Sequence, residues 1–135
     1  MPLVRISLLQ GPEGFGRKVG AVVYRTLVDT IGVPPNDNFQ VISEHSRDTL
    51  VFDRSYLGIE RSDGFISIQI TLSEGRSLAK KRLLYRTLAE RLQRELNVRP
   101  QDVFVNLVEV KKENWSFGLG EASYVPAEPV ATEPA

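Results

Sequence analysis

Proline stands second in this chain, and an apolar strand starts directly behind it: Leu3-Val4-Arg5-Ile6-Ser7-Leu8. A methionine followed by a small residue is normally trimmed after synthesis, so the mature chain is expected to begin at Pro2. Its terminus is then a secondary amine fixed in a five-membered ring. An amine tied to the start of a buried strand differs from an ordinary frayed terminus. Desolvation lowers its pKa towards neutrality, and near pH 7 it can then serve as base or nucleophile. Other carriers of chemistry are scarce. There is no cysteine, which excludes disulfides, thiol catalysis and thiolate metal sites, and His45 is the single histidine. A zinc or iron site would have to be built almost wholly of carboxylates, so neither a metal nor another cofactor is expected.

An amine of this kind needs a scaffold, and the bulk composition describes one. The chain has 135 residues, 41% hydrophobic and 25% charged, which suits one globular domain with a real core. Seventeen basic residues balance seventeen acidic ones, which removes the electrostatic reason to expect nucleic acid or an anionic membrane as partner. No basic segment backed by an apolar stretch opens the chain, and no run approaches membrane-spanning length, so a cytoplasmic protein is expected.

The chain repeats itself. Tyr24-Arg25-Thr26-Leu27 recurs as Tyr85-Arg86-Thr87-Leu88. Ile6-Ser7-Leu8 with Gly11 matches Ile70-Thr71-Leu72 with Gly75, and Val33-Pro34-Pro35-Asn36-Asp37 matches Val98-Arg99-Pro100-Gln101-Asp102. Three matches in the same order indicate a duplicated unit. Each unit, about 2–42 and 65–110, reads strand, helix, strand. Leu3 to Leu9 and Phe65 to Leu72 alternate apolar with polar residues. Helices follow over Phe15 to Ile31 and from Ser77, as cap, to Leu96. Leu84, Leu88 and Leu92 form a stripe on the second helix, and Lys80-Lys81-Arg82 belongs to its solvated face. Return strands are expected over Phe39 to Ile42 and Val103 to Val110. A strand–helix–strand crossover makes its two strands parallel and the connection right-handed. Two fused β-α-β units then form a four-stranded sheet with two helices on one face, an α/β (α+β) two-layer sandwich. The uncovered sheet face points to an oligomer. Between the units, Ser43 to Gly64 is expected to hold a short strand around Leu50-Val51-Phe52. The domain is taken as residues 1–125, and the Pro-, Ala- and Glu-rich tail 126–135 is expected to be disordered.

A duplicated β-α-β unit with proline at position two resembles the tautomerase superfamily, whose prototype is 4-oxalocrotonate tautomerase. Gly75-Arg76-Ser77, leading into Lys81, Leu84 and Tyr85, is similar to its loop-to-helix motif. The nearer resemblance is to the malonate semialdehyde decarboxylase-like group. It rests on Phe39-Gln40-Val41-Ile42-Ser43-Glu44-His45, on Asn114-Trp115-Ser116-Phe117-Gly118-Leu119-Gly120, and on Asp37 in its Pro-Pro-Asn-Asp turn. The likeness spans Pro2 to about Tyr124 and implies a homotrimer without cofactor.

By position, Pro2 matches the catalytic amino-terminal proline and Asp37 the acidic residue beside it. Arg76 matches the second of two arginines that bind the substrate carboxylate; the first is missing from Ser73-Glu74-Gly75-Arg76. The resemblance therefore implies a small carboxylate-bearing substrate. A cation next to a helix N-terminus opposes the helix dipole, so Arg76 wants an anionic partner there. Its planar fork suits a carboxylate. Trp115 and Phe117 are expected as an apolar wall over the site, or as subunit packing. Three functions remain open at this point. The first is keto–enol isomerisation of a 2-oxo acid of phenylpyruvate type, with Pro2 as base. The second is decarboxylation or hydration of a small 3-oxo acid, with Pro2 cationic. The third is a non-enzymatic ligand-binding oligomer.

Overall fold

The structure is a computed structural model and describes residues 1–127. Its elements run β1 (Leu3–Leu9), α1 (Phe15–Ile31), β2 (Phe39–His45), β3 (Ile66–Ser73), α2 (Leu78–Leu96) and β4 (Val103–Val110). Strand order is β2-β1-β3-β4. β1 lies parallel to β2, β3 lies parallel to β4, and β1 and β3 meet antiparallel at the centre. The fold is thus the two-layer arrangement of two β-α-β units, with a mixed sheet and both helices on one face.

The alternation of strand residues determines this layering. Val4, Ile6 and Leu8 of β1 and Ile66, Ile68, Ile70 and Leu72 of β3 are buried against both helices. From α1 come Val19, Val22, Val23 and Leu27, and from α2 come Leu84, Leu88 and Leu92. Arg5 of β1 pairs across the central ladder with Gln69 of β3. Those two residues are also repeat-mates, so the local two-fold axis relating the halves passes through that pair. On the other sheet face Phe39, Val41, Phe104 and Val108 remain exposed.

Helix ends follow their residue chemistry. Ser77 caps α2, its hydroxyl accepting from the Lys80 N–H at 3.2 Å. α1 starts after Gly14 at φ 77° and has no side-chain cap. Among the described residues no helix is long and apolar enough to cross a membrane.

Two expectations change. β2 continues three residues beyond Ile42, to His45, because its backbone stays in register with β1 as far as Leu9↔His45. Ser43-Glu44-His45 is too polar to read as strand. The strand expected at Leu50-Val51-Phe52 is absent. The segment packs against side chains of β3 and β4 without pairing with any strand. Its apolar side chains are used otherwise: Phe52 stacks on Phe65 with centroids 4.2 Å apart. Of the tail expected at 126–135, residues 128–135 lie outside the described residues.

Candidate functional site

Three chain segments meet at one end of the sheet: the start of β1, the turn before β2, and the loop between β3 and α2. The turn is set by the Asp37 N–H, which donates to the Pro34 carbonyl at 3.2 Å, and by Asn36 at φ 71°. The Tyr24 hydroxyl of α1 anchors it by accepting from the Asn36 N–H at 2.9 Å. Asp37 is thereby buried beside the chain start, and its Oδ2 lies 3.6 Å from the Met1 nitrogen. Neither carboxyl oxygen of Asp37 has a hydrogen-bond partner among the described residues. A buried carboxyl without partners is costly. It is an arrangement a ligand or a terminal ammonium would relieve.

The repeat-mate of Asp37 makes the point by contrast. Asp102 also ends a turn before a strand, but it accepts from the Ser62 N–H at 2.7 Å and from the Ser62 hydroxyl at 2.5 Å, with Arg99 3.7 Å away. One aspartate is saturated by its own chain, and the other is left open.

Arg76 reaches the same place from the β3–α2 loop, where Gly75 takes φ 120°. Its Nη1 donates to the Ser73 carbonyl at 2.8 Å, while its Nε is buried without a partner. Burial lowers the pKa of the terminal amine at Met1; the negative charge of Asp37 opposes this and Arg76 reinforces it. Covalent geometry puts the Pro2 nitrogen roughly 3 Å from the Met1 nitrogen. An amine at Pro2 would therefore feel the same three influences.

The chain start, Ser73, Glu74, Gly75 and Arg76 line an open cavity of about 440 Å³. Lys80, Lys112 and Tyr124 form its outer part. Trp115 and Phe117 do not line that cavity. They border an adjoining apolar pocket of about 210 Å³ together with Pro2, Leu3 and Phe39. Ser73 ties the two spaces together: its carbonyl holds Arg76, and its hydroxyl accepts from Trp115 Nε1 at 3.1 Å. Trp115 stacks on Phe117 at 5.3 Å, and Tyr124 meets Phe117 edge-on at 5.1 Å.

Sequence reasoning missed Ser73 and Tyr124. Ser73 had no distinguishing neighbour, since its work is done through one hydroxyl and one carbonyl. Tyr124 stands at the end of the aromatic segment that includes Trp115 and Phe117, which was the available signal. His45 pairs through Nδ1 with the Thr49 hydroxyl at 3.0 Å. Among the described residues no three His, Asp or Glu side chains converge to hold a metal ion.

Comparison with known proteins bears on the family and the fold. A family model described as tautomerase enzyme matches residues 37–118. The probable tautomerase YusQ of Bacillus subtilis (strain 168) is 38% identical over 126 residues, covering 93% of this chain and 99% of its own. A malonate semialdehyde decarboxylase, crystallised in wild-type, mutant and inactivated forms, superposes with a TM-score of 0.82 at 32% identity, covering 90% of this chain and 95% of that one. A fused 4-OT that forms an asymmetric trimer shares the fold, with a TM-score of 0.71 at 21% identity over 90% of this chain and 96% of that one. On the family match and the 38% identity along nearly its full length, the chain belongs to the tautomerase superfamily.

Proposed function

We propose that the mature protein is a keto–enol tautomerase of a small 2-oxo acid, with the Pro2 nitrogen as its base. The observation that carries this reading is a cavity lined by the chain start and Arg76, with the unpartnered Asp37 carboxyl buried 3.6 Å from the terminal nitrogen. Removal of Met1 frees the Pro2 amine there. Burial, reinforced by the Arg76 charge and opposed by Asp37, lowers the pKa of the terminal amine and so favours the neutral form a base requires. The Arg76 guanidinium receives the substrate carboxylate, and Asp37 bonds the enol hydroxyl or a water. The neutral amine removes the enol or α-carbon proton and returns it at the alternative position. The stacked Trp115 and Phe117 exclude water beside Pro2, which strengthens every remaining charge interaction.

The unit of function is residues 1–125, acting in the cytoplasm without cofactor. Three copies are expected to associate, covering the sheet face that carries Phe39, Val41, Phe104 and Val108. The trimeric fused 4-OT of the same fold supports that number.

The test is phenylpyruvate tautomerisation by wild type and Pro2→Ala, with the amino-terminal mass checked for each. Pro2→Ala should lose at least about 100-fold in kcat/KM, the usual scale of a general base. For wild type, kcat/KM should rise with pH through a pKa below the ordinary terminal-amine range, because the base works only when unprotonated. Unchanged activity in correctly processed Pro2→Ala sinks the proposal, as does retention of Met1 in the active protein.

A second reading rests on the decarboxylase that superposes at 32% identity, and on Asp37, whose charge favours the protonated amine. In it a cationic Pro2 polarises the carbonyl of a 3-oxo acid, and the rate falls as pH rises. Carbon dioxide release from malonate semialdehyde measures it directly.

A further inference from the structure

A 2-oxo acid seated by its carboxylate on Arg76 presents its keto oxygen one carbon further along. When the base removes an α-proton, negative charge gathers on that oxygen, and something must meet it. Arg76 is partly committed, since its Nη1 already serves the Ser73 carbonyl. Lys80 and Lys112 line the cavity but stand exposed on long flexible stems. Tyr124 is also exposed, at 37%, but its side chain is short and its ring is held in place.

The segment that delivers Tyr124 folds back on itself. The Ser123 N–H donates to the Trp115 carbonyl at 3.2 Å, and the Phe117 N–H donates to the Ser123 hydroxyl at 2.9 Å. The Tyr124 ring is then set edge-on to Phe117, whose own ring stacks on Trp115, and Trp115 is fixed through Ser73 to the base of the Arg76 loop. A chain of packed and hydrogen-bonded groups thus connects the tyrosine to the arginine. A donor held this way loses little freedom when it bonds a substrate. Burial and the nearby negative charge of Asp37 raise the pKa of the phenol, while Arg76 opposes them, so it stays protonated and able to donate.

We propose that Tyr124 is a catalytic residue of this site, its hydroxyl donating a hydrogen bond to the keto oxygen of the substrate as that oxygen becomes an enolate. The phenol keeps its proton throughout; only the strength of the bond changes. This assignment rests on the tautomerase reading above and adds to it the group that stabilises the oxyanion.

The test compares Tyr124→Phe with wild type and Pro2→Ala on phenylpyruvate. Tyr124→Phe keeps the ring and its edge-on contact, so the thermal midpoint should not move. Its kcat should fall about 100-fold with KM little changed, as for loss of one oxyanion donor. A kcat within twofold of wild type, or a raised KM at unchanged kcat, overturns the role of Tyr124. If that happens while Pro2→Ala is inactive, the tautomerase reading stands and Tyr124 alone is out. If Pro2→Ala retains full activity, both fall. A second measurement does not depend on deleting the hydroxyl. With 3,5-difluorotyrosine at position 124, whose phenol ionises at lower pH, the alkaline decline of kcat should move down with it, and an unmoved decline also overturns the proposal.

Discussion

Asp37 and Asp102 are the same residue in two copies of one turn, and their partners separate them. Ser62, which saturates Asp102, lies in the connection between the repeats and has no counterpart near Asp37. Asp102→Ala removes two short hydrogen bonds and leaves the Ser62 N–H unpaired, so it should lower folding stability by about 2–4 kcal/mol. Activity of the folded fraction should persist. Asp37→Asn should do the reverse, leaving or raising stability while cutting turnover, because it removes a charge no side chain satisfies. Urea denaturation and initial rates on the two variants measure both halves, and equal losses of stability would refute the distinction. This asymmetry was not legible in the sequence. Both aspartates sit behind a proline turn, and only the three-dimensional position of a loop outside the repeat tells them apart. Pro2 and Arg76 were legible, because an amine at a strand start and a cation ahead of a helix cap are both odd locally.

At the scale of elements, the sequence was read well wherever a side chain repeats with a period. The α2 stripe of Leu84, Leu88 and Leu92 and the alternation in β1 and β3 put those residues on the correct face. Periodicity failed at the sheet edge. An edge strand such as β2 buries little, so Ser43-Glu44-His45 carried no apolar signal, whereas Leu50-Val51-Phe52 is apolar enough to read as a strand and forms none. The helix start at Ser77 has a functional consequence, since Arg76 precedes it directly. Ser77→Ala frees the Lys80 N–H and should cost about 1 kcal/mol. The first turn of α2 then frays next to Arg76, the proposed carboxylate ligand. KM for a 2-oxo acid should accordingly rise several-fold with kcat nearly kept. A stability loss with unchanged KM would mean that Arg76 is held by Ser73 alone.

For the whole molecule, a local two-fold axis through Arg5 and Gln69 raises the question of whether the chain carries one site or two. Each feature of the candidate site has a mate across that axis. Phe65 takes the place of Met1, Asp102 that of Asp37 and Pro12 that of Arg76, while Leu50 and Phe52 stand where Trp115 and Phe117 do. Every mate is chemically closed. Phe65 is buried and stacked on Phe52 where the other half has its chain start. The aspartate is saturated, and a proline replaces the guanidinium. Duplication thus supplied the scaffold twice and the candidate site once. In the first half Pro2, directly ahead of β1, stands at the position that Ile66 fills in β3, and it is buried. Calorimetric titration of the mature protein with a 2-oxo acid should give one equivalent bound per chain. Arg76→Ala should abolish that binding, while Pro2→Ala should retain the stoichiometry, since in the proposed mechanism the proline nitrogen acts only after the carboxylate has been seated. Two equivalents per chain, or binding that survives Arg76→Ala, would show that the second half still offers an anion site of its own.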